Sequence, residues 1–131
     1  MYYPKIPLKW SWLLWVLWTM MLMYLLLWPS EGTAVMRISL FFGGTELSDA
    51  MGHIILIFIE TNLSFNLLLH YFSKPRAIRY AFWCTLIFAL TLETLQMFIP
   101  GRGASLIDYG ANALGVTLAV IVITKQFYVS D

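Results

Sequence analysis

Four stretches of this 131-residue sequence are long enough and apolar enough to cross a bilayer, and nothing else in it narrows the possible folds so sharply. A helix needs about 20 mostly apolar residues to span the ~30 Å hydrocarbon layer. The first stretch, Trp10 to Trp28, has no charged residue and ends in tryptophans, whose amphipathic rings favour the membrane interface. Pro29 stops it. The others run from about Ala50 to Leu69, Ile78 to Ile99 and Leu106 to Ile123. The predicted fold is all-α, a polytopic membrane protein built as a bundle of four transmembrane helices.

Composition agrees. The chain is 60% hydrophobic and 11% charged, whereas soluble chains carry roughly a quarter charged residues. A net charge of +1 leaves no broad basic field, which argues against nucleic acid as a partner. The single cysteine, Cys84, can close no intramolecular disulfide and build no thiolate metal site. Lys5 and Lys9 before the first stretch resemble a signal-peptide n-region, and Gly32-Thr33-Ala34 a weak cleavage site. The apolar run nevertheless exceeds the roughly 7–15 residues of a signal core, so an uncleaved span is expected. Residues 33–47, with Val35, Ile38, Leu40, Phe41 and Phe42 before Gly43-Gly44, are too few to span and too apolar for a solvated loop. A short re-entrant or interfacial segment between helices 1 and 2 is expected there. No repeat, low-complexity tract or linker divides the chain, so residues 1–131 read as one domain.

Cationic flanks are retained on the cytoplasmic side of a membrane. Lys5 and Lys9, Lys74, Arg76 and Arg79, and Lys125 fall on one side of the four spans, leaving Arg37 and Arg102 on the other. Both termini are therefore expected in the cytoplasm, with residues 29–49 and 100–106 facing outward.

Ionisable groups in spans are costly and usually face a protein interior or a cavity, so each is a candidate for function. Asp49 and His53 open the second span, Glu93 and Gln96 close the third, and Asp108 and Asn112 open the fourth. All lie toward the expected outer side, joined by Pro100-Gly101-Arg102-Gly103-Ala104-Ser105. At about 100° per residue, Asp49, His53 and the deeper Glu60 share one stripe. Asp108, Asn112, Gly115 and Ala119 form a second, whose small members let a neighbouring helix approach closely. A polar cup sunk about two turns below the outer surface is expected.

Plainer roles stand beside these. Ser48 or Asp49 could cap the second helix, and Ser105 with Asp108 has the spacing of a capping box. The Pro-Gly-Arg-Gly run could be only a tight turn, and Arg102 could snorkel to lipid phosphate. Glu60 could pair with a neighbour or be protonated, while Asn62, Asn66 and His70 read as interfacial. Capping within its own helix cannot explain Glu93, because the C-terminal end of a helix disfavours a carboxylate. It needs a partner: His53, Arg102 or a bound cation.

The ordered set Ser48-Asp49, His53, Glu93-Thr94-Leu95-Gln96, Pro100-Gly101-Arg102-Gly103-Ala104-Ser105, Asp108, Asn112 and Gly115 resembles the VanZ-like family of small bacterial membrane proteins. The likeness covers about residues 47 to 123. Many members of that family have a lysine directly after the aspartate, where this chain has Ala50. The family is named for a protein associated with teicoplanin resistance. The resemblance implies a four-helix protein of the bacterial cytoplasmic membrane and cell envelope, grouped by a broader proposal with membrane enzymes that exchange or remove lipid head groups.

On that reading the partner is a membrane lipid or lipid-linked precursor, met by an outward-facing pocket. Asp49, His53, Glu93 and Asp108 are the expected catalytic set, with His53 as general base or nucleophile because its pKa suits proton transfer near neutrality. Gln96, Arg102, Ser105 and Asn112 are the expected substrate-binding set, Arg102 being suited to bidentate phosphate recognition. The carboxylates and His53 include oxygen ligands suited to magnesium or calcium, but no compact metal motif is present. No metal is therefore assigned, and no cofactor or oligomeric state is identified. The alternative is a non-catalytic lipid-binding or scaffolding protein whose polar cluster locks the helices together.

Overall fold

The computed structural model describes residues 6–29 and 44–128. The described residues form four helices: α1 (Leu8–Leu27), α2 (Glu46–Leu68), α3 (Lys74–Gln96) and α4 (Leu106–Tyr128). Each has the length and apolar composition to cross a membrane, and there is no strand among the described residues. The expected re-entrant segment lies largely in residues 30–43, outside the described residues.

Helix ends follow local backbone chemistry more than the apolar runs. Trp28 is extended, with ψ 141°, as a residue before proline must be. The second helix begins four residues before Ala50. Thr45 accepts the Ser48 amide through its hydroxyl, while Ser48 Oγ accepts the Thr45 amide. Neither Ser48 nor Asp49 is the N-cap; Ser48 is the return arm of the box, and Asp49 is released for other contacts. The third helix starts at Lys74, ahead of Ile78, because Pro75 in a first turn removes an amide that would have had no helical partner. It ends at Gln96, before the expected Ile99. A turn follows in which the Arg102 amide donates to the Ile99 carbonyl, with Pro100 and Gly101 between them. Gly101 sits at φ 74°, the left-handed geometry that a turn of this type requires after its proline. The fourth helix continues past Ile123, with Lys125 in its last turn, where a cation favours the carbonyl end of the dipole.

The helices alternate in direction. Hydrogen bonds between α1 and α2 step in opposite senses along the two chains, from Ser11 with His70 and Trp15 with Ser64 to Thr19 with Glu60. The closest packing is between α2 and α4, which run the same way, with α3 against both and α1 laid across α2 and α3. Gly115 makes that approach possible: a Cβ there would lie 2.7 Å from the Ile54 carbonyl oxygen. Ala119, four residues on, is fully buried as expected for the same stripe.

The interior reverses the pattern of a soluble protein. Large apolar side chains such as Met20, Ile87 and Phe98 point outward, Phe98 with 79% exposure. The buried set includes Ala77, Ala81, Ala89, Ala119, His53, Glu60, Glu93, Gln96 and Asn112. Because lipid tails solvate leucine as well as another leucine does, helices in a bilayer associate through close contact of small residues and through polar bonds. The threonines illustrate how hydroxyls are accommodated: Thr61, Thr91, Thr94 and Thr117 each donate to the carbonyl four residues back.

Candidate functional site

The helix end that carries Thr45, Gln96 and Leu106 gathers the polar residues of three helices. His53 on α2 is 2% exposed, and its Nδ1 lies 3.0 Å from Asn112 Oδ1 on α4. With a carbonyl-type oxygen as the acceptor, Nδ1 carries the proton and Nε2 carries the free lone pair. Glu93 Oε2, from α3, lies 3.9 Å from the same Nδ1. Asn112 therefore holds the ring most directly, with Glu93 as the nearby negative charge.

Glu93 resolves the dipole problem posed by its place at the end of α3. Its Oε1 accepts the Ser105 amide at 2.9 Å, so the carboxylate sits at the amide-rich start of α4. The Ser105-x-x-Asp108 box does not close: the Ser105 amide goes to Glu93, and Ser105 Oγ accepts the Ile107 amide instead. Asp108 is thereby free of the return-arm role and buried beside the cup. A second tie joins the same elements, Thr94 Oγ1 to the Tyr109 hydroxyl at 2.8 Å.

Asp49, His53 and Asp108 each offer a ligand atom, all within 4.8 Å of one another. Two carboxylates with one imidazole form a donor set that could take a divalent cation after a small closure, with Asn112 holding the opposite ring nitrogen as outer-shell groups do. The same three groups could equally perform proton transfer.

Four buried polar atoms of this cluster have no hydrogen-bond partner among the described residues: His53 Nε2, Glu93 Oε2, Gln96 Nε2 and Asn112 Nδ2. Each such atom costs about 1–3 kcal/mol if nothing meets it. Their concentration at one end of three helices is the pattern of a site that completes its hydrogen bonds with something from outside the chain.

Arg102 lies at the same end, half-buried. Its Nη2 donates to the Leu25 carbonyl at 2.7 Å and its Nε to the Trp28 carbonyl at 3.4 Å. It thus closes the last turn of α1, a contact with no signal in the sequence, while a guanidinium with five N–H groups retains donors beyond these two. Glu60 does not join the cup. Its carboxylate accepts from Thr19 on α1 and from Ser64 on its own helix. Asn62 and Asn66 donate to carbonyls of their own helix, and His70 Nε2 meets the Ile6 carbonyl at 2.9 Å, at the opposite end of the bundle.

Helical spacing paired Asp49 with His53 and Asp108 with Asn112, and the structure sets Asp49, His53 and Asp108 beside one another; spacing did not reveal Asn112 as the partner of the imidazole or Glu93 as the cap of α4. The Thr45-x-x-Ser48 spacing was a legible capping signal, obscured because serine replaces the usual glutamate.

A sequence-family model described as VanZ/LLP1 matches residues 15–128. Neither the curated proteins nor the solved structures give a match.

Proposed function

The chain belongs to the VanZ/LLP1 family, a multi-pass membrane protein with four spans, and on that premise we propose that its polar cup acts on phosphate-containing lipid head groups or lipid-linked envelope precursors. The observation that carries this reading is the set of unpartnered buried atoms, two donors and two acceptors on three helices. Such a set is complementary to a polar head group and opposed to any purely hydrocarbon occupant.

In this reading the cup faces away from the cytoplasm of a bacterial cell, because Lys9, Lys74, Arg76, Arg79 and Lys125 lie toward the other end. A lipid phosphate enters at head-group level. Arg102, anchored to α1, turns its remaining N–H groups to the phosphate, and Gln96 and Asn112 donate to its oxygens. His53 Nε2 takes the proton of the attacking hydroxyl as the new bond to phosphorus forms. Asp108, in its acid form, protonates the departing alcohol oxygen as the old bond breaks. Asn112 and Glu93 keep the imidazole oriented. Altered head groups or precursors would in turn change susceptibility to teicoplanin-type antibiotics.

The test compares envelope lipids and lipid-linked intermediates by mass spectrometry in cells with the protein, without it, and with His53→Ala or Glu93→Gln. Head-group changes that depend on the protein should vanish in both variants. Normal insertion with an unchanged lipid profile in both would remove the catalytic assignment. That outcome would favour a non-catalytic lipid-binding or scaffolding role, which the interhelical bonds of Glu93 and Arg102 also support.

A further inference from the structure

About two turns along α2 from His53, near the middle of the spans, α1, α2 and α3 line a cavity of about 260 Å³. Its walls include Trp15, Thr19, Glu60, Ser64, Cys84 and Thr85. The hydrogen bonds there all run one way. Trp15 Nε1 donates to Ser64 Oγ, Ser64 donates to Glu60, and Thr19 donates to both carboxylate oxygens at 3.2 Å. Two hydroxyls thus turn their protons to the Glu60 carboxyl group and leave it an acceptor, and no lysine, arginine or histidine lines the cavity. A carboxylate at this depth is expensive without a cation.

Thr85 supplies an independent sign. It is 2% exposed and its hydroxyl has no partner, unlike Thr61, Thr91, Thr94 and Thr117, which donate to their own helix backbone. An unsatisfied hydroxyl is thus buried in the wall of the cavity that Glu60 also lines. Cys84, beside it, is exposed at mid-span and also lines the cavity, so the opening is lateral, toward lipid tails.

The geometry points to a second, intramembrane binding site for a lipophilic primary ammonium. The ligand enters sideways from the bilayer, its N–H groups pairing with Glu60 and meeting Thr85 Oγ1, its first methylenes lying against Trp15 and Phe88. The cavity holds the ammonium and the start of its chain, with the remainder left in lipid. A cation is favoured over a neutral alcohol because it brings the counter-charge that an ionised Glu60 needs at this depth, as well as hydrogen-bond donors.

Cys84 is the single cysteine of the chain and so reports on the rim directly. Full-length protein in lipid vesicles is labelled with membrane-permeant N-ethylmaleimide in the presence of dodecylamine or dodecanol. The amine should slow Cys84 labelling several-fold and saturably, and the alcohol at equal membrane concentration should not. Glu60→Gln should raise the half-protecting amine concentration by roughly tenfold or more, the scale of one charge-assisted hydrogen bond. Thr85→Val, nearly the same shape, should weaken protection less, and His53→Ala should leave it intact. Equal protection by amine and alcohol, no protection, or undiminished protection in a folded Glu60→Gln protein would overturn the proposal. Loss of protection in His53→Ala would overturn its independence from the cup.

Discussion

Replacing Gly115 with alanine probes the contact that sets the width of the cup. The added Cβ would stand 2.7 Å from the Ile54 carbonyl oxygen and 3.3 Å from Ile54 Cα and Ile57 Cβ. Contacts under 3.0 Å are essentially never seen for a Cβ, and the obstructing atom is backbone, so no side-chain rotation relieves it. The helices α2 and α4 must part by about 0.3 Å at least, and by about 0.7 Å to reach ordinary contact at 3.4 Å. Asn112 lies one turn before Gly115 and His53 immediately before Ile54, so the same movement stretches the 3.0 Å bond between His53 and Asn112 to about 3.3–3.7 Å, beyond the usual range. Overpacking of this kind costs about 1–3 kcal/mol, and loss of the bond adds about 1 kcal/mol. Thermal unfolding of purified protein in detergent or nanodiscs measures it. The internal controls are Gly52→Ala and Gly110→Ala, where an added Cβ meets nothing within 4 Å. Both should leave the melting temperature unchanged or raise it, since alanine favours helix. A Gly115→Ala protein that melts with these controls and retains function would refute the close-approach argument.

Removing Arg102 should loosen the end of α1. Arg102→Ala loses a charged donor to Leu25 at 2.7 Å, and about 1–3 kcal/mol of stability should go with it, read as faster hydrogen exchange in the last turn of α1; unchanged exchange would leave Arg102 without that structural role. Thr45→Ala removes the N-cap of α2 and should cost about 1 kcal/mol, whereas Thr45→Ser should be close to neutral in the same melting assay. Asp108→Asn preserves shape while removing the acid. It should lower lipid conversion by roughly a hundredfold or more if Asp108 transfers a proton, and leave it intact if the residue only fills and hydrogen-bonds the interface.

Much of the molecule was legible one residue at a time. Hydropathy fixes a membrane-spanning helix locally, because each span must satisfy its own backbone bonds in lipid whatever lies beside it. The four helices could therefore be read without knowing their neighbours, and the helical repeat placed Asp49 with His53 and Gly115 with Ala119. Their ends were less legible where capping extended a helix beyond its apolar run, as Thr45 and Ser48 do for α2.

Partner choice belonged to the tertiary structure alone. Glu93 had His53, Arg102 or a cation as candidates; the fold gives it the Ser105 amide, with His53 nearby, and sends Arg102 to the carbonyls of α1. Sequence periodicity set Glu60 on the His53 stripe, yet packing separates them, because α4 and α3 meet α2 at His53 while α1 meets it at Glu60. Thr85 reads like any other membrane threonine until its hydroxyl is found without the backbone bond its counterparts make. Composition and period are properties of a chain with itself. A hydrogen bond between helices depends on how closely and in what register two rods meet, and here that register rests on the missing side chain of Gly115.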